Sequence, residues 1–168
     1  MHSVFLRWAR LPLVRQIEES DCGPAALLSV LRHWGGNASL PEVRSLARTD
    51  CRGTTLLGLR DAASALGFSP RGVRGSMEEL RREPMPCIAH VLSSEGQPHF
   101  VVVAGVGRRS VWIGDPAHGR RRFDRKAFEE VWASRAALLL TPTAPLHQGP
   151  RTGWMAWHAG YFRREQVW

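Results

Sequence analysis

Cys22 stands in the stretch Gln16-Ile17-Glu18-Glu19-Ser20-Asp21-Cys22-Gly23-Pro24-Ala25-Ala26, where a loop turns into a helix. Ser20 and Asp21 are candidate N-caps, and Pro24 suits a first helical turn, where its missing N–H costs nothing. The apolar run Ala25 to Leu31 continues the helix, and Gly35-Gly36 stops it. Free N–H groups and the dipole at a helix start favour a thiolate, the nucleophile of cysteine hydrolases. A buried free cysteine is more often plain packing, so the chemistry needs partners.

A cysteine nucleophile needs a base and a group that orients the base. Of the seven histidines, His99 opens the most apolar run of the chain, His99 to Val106, just after a turn. A strand of that kind is a rigid mount for an imidazole. Asp115 closes the next strand, in Ile113-Gly114-Asp115-Pro116. If the two strands form a hairpin, His99 and Asp115 lie near the same end. Asp115 then accepts from one ring nitrogen while the other faces Cys22, the Cys–His–Asn/Asp logic of papain-like sites. Gln16, upstream of Cys22, has the chemistry of an oxyanion-hole donor. Taken singly, His99 reads as a strand end, Asp115 as an Asp-Pro turn and Gln16 as a surface residue. Their joint placement is what points to catalysis.

These residues need elements to hold them. Helices are expected from Cys22 to about Trp34, after the capping box Ser39…Glu42, and from Thr55 to the stop at Gly67. Phe68 to Val73 then reads as a strand, and Ser76…Glu79 as a second capping box opening a short helix. Cys87 to Leu92, His99 to Val106 and Ser110 to Gly114 read as strands, with Arg121 to Phe123 extending the sheet. Asp124 caps a helix to about Trp132, and Ala136 to Leu140 is the last strand. Helices first and a mostly antiparallel sheet after them make an α+β fold. The expected domain covers residues 1–142. Residues 143–168 read as a Pro/Gly linker and an aromatic, basic tail, either an interfacial helix on a membrane or a loose or packing segment.

The 168 residues and 43% hydrophobic content suit one domain with a real core. No apolar run reaches membrane-spanning length. Three cysteines, none in a Cys-x-x-Cys pair, argue against a disulfide framework and a structural zinc site. Cys51 and Cys87 read as inert thiols. The net charge of +8 is almost all arginine, with Lys126 the sole lysine. The arginines are scattered apart from Arg120-Arg121-Arg122, with no aromatic-interleaved stripe, which argues against nucleic acid. An acidic peptide is the alternative partner.

The segments Gln16 through Ala26, Gly53-Thr54-Thr55-Leu56, Gly67-Phe68, His99-Phe100-Val101-Val102, Asp115-Pro116-Ala117-His118-Gly119, Phe128 through Trp132 and Leu138 through Pro142 follow one another in a familiar order. Across about residues 12–142 the chain resembles the bacteriocin-processing, double-glycine cysteine peptidase domain at the N-terminus of peptidase-containing ABC transporters. The resemblance implies a papain-like fold with Cys22 as nucleophile, His99 as general base and acid, Asp115 as its orienter and Gln16 as oxyanion donor. It implies a precursor peptide cut after a Gly-Gly or Gly-Ala pair, a narrow channel for small leader residues and an apolar groove for the leader helix. It implies no cofactor. The implied partners are the precursor and the transmembrane and ATPase parts of an exporter, in the same or a separate chain, on the cytoplasmic side of the membrane. No Walker motif is present. The chain then reads as either an excised domain or a stand-alone peptidase. Two other readings compete: a leader-binding module without proteolysis, and another papain-like amidase or acyltransferase. Leaders of this kind are often acidic, and the arginine excess would suit them. Charge reversal of arginines along the leader groove is expected to raise KM for leader substrates, measured by steady-state kinetics.

Overall fold

The structure is a computed structural model, and it describes residues 8–143 and 145–149. The residues before Trp8 and the expected aromatic, basic tail after Gly149 lie outside the described residues. After a 3-10 turn at Glu19–Asp21 come the helices α1 (Cys22–His33), α2 (Leu40–Leu46) and α3 (Leu56–Ala65). The strands β1 (Phe68–Arg74), β2 (Cys87–Leu92), β3 (Pro98–Val106), β4 (Ser110–Asp115), β5 (Gly119–Asp124) and β6 (Ala136–Pro142) form one sheet, ordered β1-β6-β2-β3-β4-β5. Every pairing within it is antiparallel. Short helices α4 (Met77–Leu80) and α5 (Arg125–Val131) complete the fold.

Local signals set most boundaries. Ser39 and Glu42 form the expected capping box at α2, and Ser76 and Glu79 the one at α4. Thr55 caps α3 and Asp124 caps α5. The cap of α1 is the exception. Asp21 occupies the N-cap position, but its side chain makes no bond to the helix, and Ser20 lies in the preceding 3-10 turn. The Asp21 carboxylate turns back instead and accepts from the N–H of Ile17 and of Glu18, at 3.3 and 2.9 Å.

The central strands β6, β2, β3 and β4 are buried on both faces, as the unbroken apolar run of β3 requires. On one face Leu27, Leu31, Leu59 and Ala63 of α1 and α3 pack with Phe100, Val102, Leu138 and Leu140. On the other, Met77, Leu80, Phe128 and Trp132 pack with Val101, Val103, Ile113 and Leu139. Alternate residues of β3 thus serve different cores.

One irregularity matters for the site. The β3–β4 hairpin closes with the Gly107 N–H donating to Ser110 O, and Val106 faces Val111 across the ladder. Between Val103 and Gly105 the register shifts by one residue, leaving Ala104 as a bulge, so that Val103 faces Ile113 and Val102 faces Gly114. An unbroken ladder from the same turn would set Asp115 opposite Val102, on the helical face. With the bulge, Asp115 shares the face of Val101 and His99.

The segment before Cys22 lies across the end of the sheet. Trp8 Nε1 donates to Ile113 O at 2.9 Å, Val14 N to Ser29 Oγ at 2.9 Å, and Gln16 N to Pro116 O at 3.1 Å. Ser29 is fully buried in α1 and is satisfied on both sides, since its hydroxyl also donates to Ala25 O. Gly114 leaves room for this arm, because a Cβ there would stand 2.7 Å from Leu11 and 3.0 Å from Leu13. Substituting Gly114→Ala is therefore expected to cost about 1–3 kcal/mol of stability by overpacking the arm. Chemical denaturation with an unchanged slope would show it.

Candidate active site

The bulged ladder brings His99 and Asp115 together. His99 Nε2 lies 2.8 Å from Asp115 Oδ1, and the Asp115 side chain is 5% exposed. Cys22, 6% exposed at the start of α1, is the other group that acts on the His99 ring. With Nε2 committed to Asp115, Nδ1 is the nitrogen left for the thiol. Gly23 explains how α1 comes so close: a Cβ there would press on Thr54 at 3.1 Å and on Phe100, the neighbour of His99, at 3.3 Å.

Asp115 collects further donors. Its Oδ1 also accepts from the N–H of Ala117 at 2.9 Å and of His118 at 3.3 Å, an Asx-type turn. His118 Nδ1 lies 3.1 Å from Oδ2, and the Arg121 guanidinium lies 3.7 Å from the same oxygen. Burial by itself would raise the Asp115 carboxyl; the hydrogen bond and charge of His99, with the Ala117 and His118 donors, instead hold it well below the usual carboxylate range. For His99 burial by itself would favour the neutral ring, but the bond to Asp115, the neighbouring Cys22 and the charge of Asp115 raise it to about 9. The imidazolium therefore persists at neutral pH, poised to give up a proton.

Gln16 is held at the same end by its bond to Pro116. Its Oε1 is buried with no hydrogen-bond partner among the described residues. A side-chain amide left unpaired in a buried place is free to serve a transient ligand, and a flip about its last bond presents Nε2 there. The loop carrying Gln16 is fastened by Asp21, itself 1% exposed. That carboxylate pairs with Arg44 of α2, which also reaches Glu18 Oε2 at 3.0 Å.

Each of the four expected residues, Cys22, His99, Asp115 and Gln16, is thus found at one end of the sheet. Sequence reasoning gave Asp21 only a helix-capping role and gave Arg44, His118 and Arg121 no role at the site. His118 stands three residues after Asp115 in an Asp-Pro turn, a spacing that could have drawn notice. Arg44 comes from a different helix, and no local signal marks it. The other cysteines differ from Cys22 in setting. Cys51 is exposed in a turn, and Cys87 is fully buried, where desolvation and then the charge of Glu83 push its thiol up to about 12.

Known proteins share the sequence and the fold of this chain. The family model described as the peptidase C39 family matches residues 10–145. The lactococcin-A transport/processing ATP-binding protein LcnC of Lactococcus lactis subsp. lactis is 37% identical over 79% of this chain and 19% of its own length. An uncharacterized protein of Methanothermobacter marburgensis is 38% identical over 76% of this chain and 87% of its own. Among solved structures, the peptidase domain of Streptococcus ComA, a bifunctional ABC transporter involved in quorum sensing, matches with a TM-score of 0.74. The match has 35% identity and covers 80% of this chain and 100% of that domain. A double-glycine motif protease from an AMS/PCAT transporter, solved with its leader peptide, matches at 0.73 and 29% identity over 80% and 94%. The chain spans about a fifth of the length of the transporter relatives it matches.

The electrostatics of the pair fix a pH window. Because His99 is raised above its usual 6.5, its contribution to folding is complete below about pH 6.5 and is lost as pH rises through about 9. Because Asp115 is lowered, its contribution is present above its usual 3.8 and is lost as pH falls. The alkaline limb of kcat/KM is expected near pH 9. In Asp115→Ala that limb should move down by about one unit or more, with kcat/KM reduced about 10²–10⁴-fold. A pH–rate profile of both proteins measures this, and an unmoved limb would contradict the assignment of Asp115.

Proposed function

The chain belongs to the peptidase C39 family, and on that premise we propose that it is a cysteine endopeptidase. In this reading it removes the leader from ribosomally made precursor peptides after a Gly-Gly or Gly-Ala pair. What supports the reading most directly is His99 held between Asp115 and Cys22, at the end of a fold shared with a double-glycine protease.

The reaction is acyl transfer. Cys22 Sγ attacks the carbonyl carbon of the last leader residue, and a C–S bond forms. The oxyanion accepts from the Cys22 N–H and from Gln16 Nε2. As the intermediate collapses, the C–N bond breaks and His99 gives its proton to the leaving amine of the mature peptide. Water then attacks the thioester as His99 takes a proton from it, the C–S bond breaks to free Cys22 Sγ, and the leader leaves with a free carboxyl terminus. Asp115 holds the imidazole in the required orientation throughout. These steps use side chains and water alone.

The relatives named for transport and processing extend the proposal to export. In it, the domain works on the cytoplasmic side of the membrane beside the transmembrane and ATPase parts of an ABC exporter, in the same or a separate chain. No helix among the described residues is long and apolar enough to cross a membrane.

The test is mass spectrometry of a Gly-Gly precursor peptide incubated with the protein, beside a Cys22→Ala control. One cut after the glycine pair, absent in the control, is expected. A cut that persists in Cys22→Ala would remove Cys22 from the reaction. Binding with no cut in either protein would turn the reading to a leader-binding module.

A further inference from the structure

On the far side of His99 from the helical layer the sheet carries a cavity of about 220 Å³. His99 and Asp115 form one wall of it. Its floor is apolar: Val101 and Ile113 of the sheet and Phe128 of α5 are each at most 2% exposed. Leu92 and Val131 also line it, and Ser93, Ser94, His118 and Arg121 add a polar edge. Leu92 is 37% exposed, an apolar side chain turned to solvent at the end of β2. The space is smaller than the roughly 300–1,000 Å³ of small-molecule sites and is of the size for one or two side chains.

The chemistry fixes which side chain that is. The acyl carbon becomes bonded to Cys22 Sγ, and its oxygen is held by Gln16 and the Cys22 N–H, all at the helical side of His99. The leaving nitrogen must take its proton from His99, so the departing peptide lies along the imidazole. His99 shares its face with Val101 and Val103, whose core is the one opposite α1. The first residue of the departing peptide therefore points toward this cavity. We infer that the cavity is a subsite for the side chain immediately after the scissile bond, and that it selects an apolar, branched or aromatic residue. This inference rests on the endopeptidase reading above.

The step at which selection shows follows from the mechanism. All substrates with one leader give the same acyl-enzyme, so the residue after the cut acts only on acylation and appears in kcat/KM. The experiment uses peptides of one leader ending in Gly-Gly, followed by Gly, Ala, Val, Leu or Phe. The 168-residue protein is compared with Val131→Phe, which puts a larger side chain into the cavity lining. In the wild type kcat/KM is expected to rise about tenfold or more from Gly to Leu. In Val131→Phe the gain of Leu and Phe over Gly should shrink to about twofold. The wild-type series stands whether or not the variant folds. Cutting of every peptide at equal kcat/KM by the wild type would overturn the subsite and leave the endopeptidase reading intact. Failure to cut any of them would overturn that reading and the subsite with it.

Discussion

A carboxylate buried beneath the end of a sheet is tolerable only when its charge is answered from every side. Asp115 meets that demand with a ring nitrogen of His99, two backbone N–H groups of its own turn, the ring of His118 and the guanidinium of Arg121. Much of the local architecture follows from this requirement. The turn after β4 must fold back onto the carboxylate, β5 must start close enough to bring Arg121, and β3 must deliver His99 on the same face. The last condition is met through the bulge at Ala104, which shifts the ladder by one residue. The same set of contacts keeps the imidazole charged and oriented toward Cys22.

The opposite wall of the site is built by a different device. Gln16 belongs to an arm with no regular structure, which would hold no side chain in place without support. Support comes from backbone bonds to Pro116 and to the buried hydroxyl of Ser29, and from Asp21, whose carboxylate gathers the loop's N–H groups and is pinned by Arg44. A side chain in the position of a helix cap thus organises the loop before the helix. The helix start therefore takes no side-chain cap, and in the proposed reaction the Cys22 N–H serves there as an oxyanion donor.

Both walls stand on a sheet whose central strands are buried on their two faces. One core joins it to α1, which carries Cys22, and the other joins it to α4 and α5. The nucleophile and its base come from separate layers, and dense packing on both sides sets their separation. The cavity behind His99 belongs to the second core, so the two sides of the scissile bond meet different parts of the fold.

Much of this was legible in the sequence, because the signals are local. Capping boxes at Ser39 and Ser76, the caps Thr55 and Asp124, and the apolar run of β3 act over a few residues, and the helices and strands form where those residues stand. The types and order of Gln16, Cys22, His99 and Asp115 were legible for the same reason, as was their chemistry. What a local pattern cannot carry is the pairing of distant segments. The carboxylate of Asp21 had two possible uses, and the nearness of Arg44 selected the loop over the helix. The hairpin could place His99 and Asp115 at one end, but the face each occupies depended on a one-residue shift at Ala104, which neither side chain announces. The sequence by itself determined which residues could react. Only the tertiary structure decided that they do meet, because side-chain direction in a sheet alternates with every residue, and packing between layers sets the register.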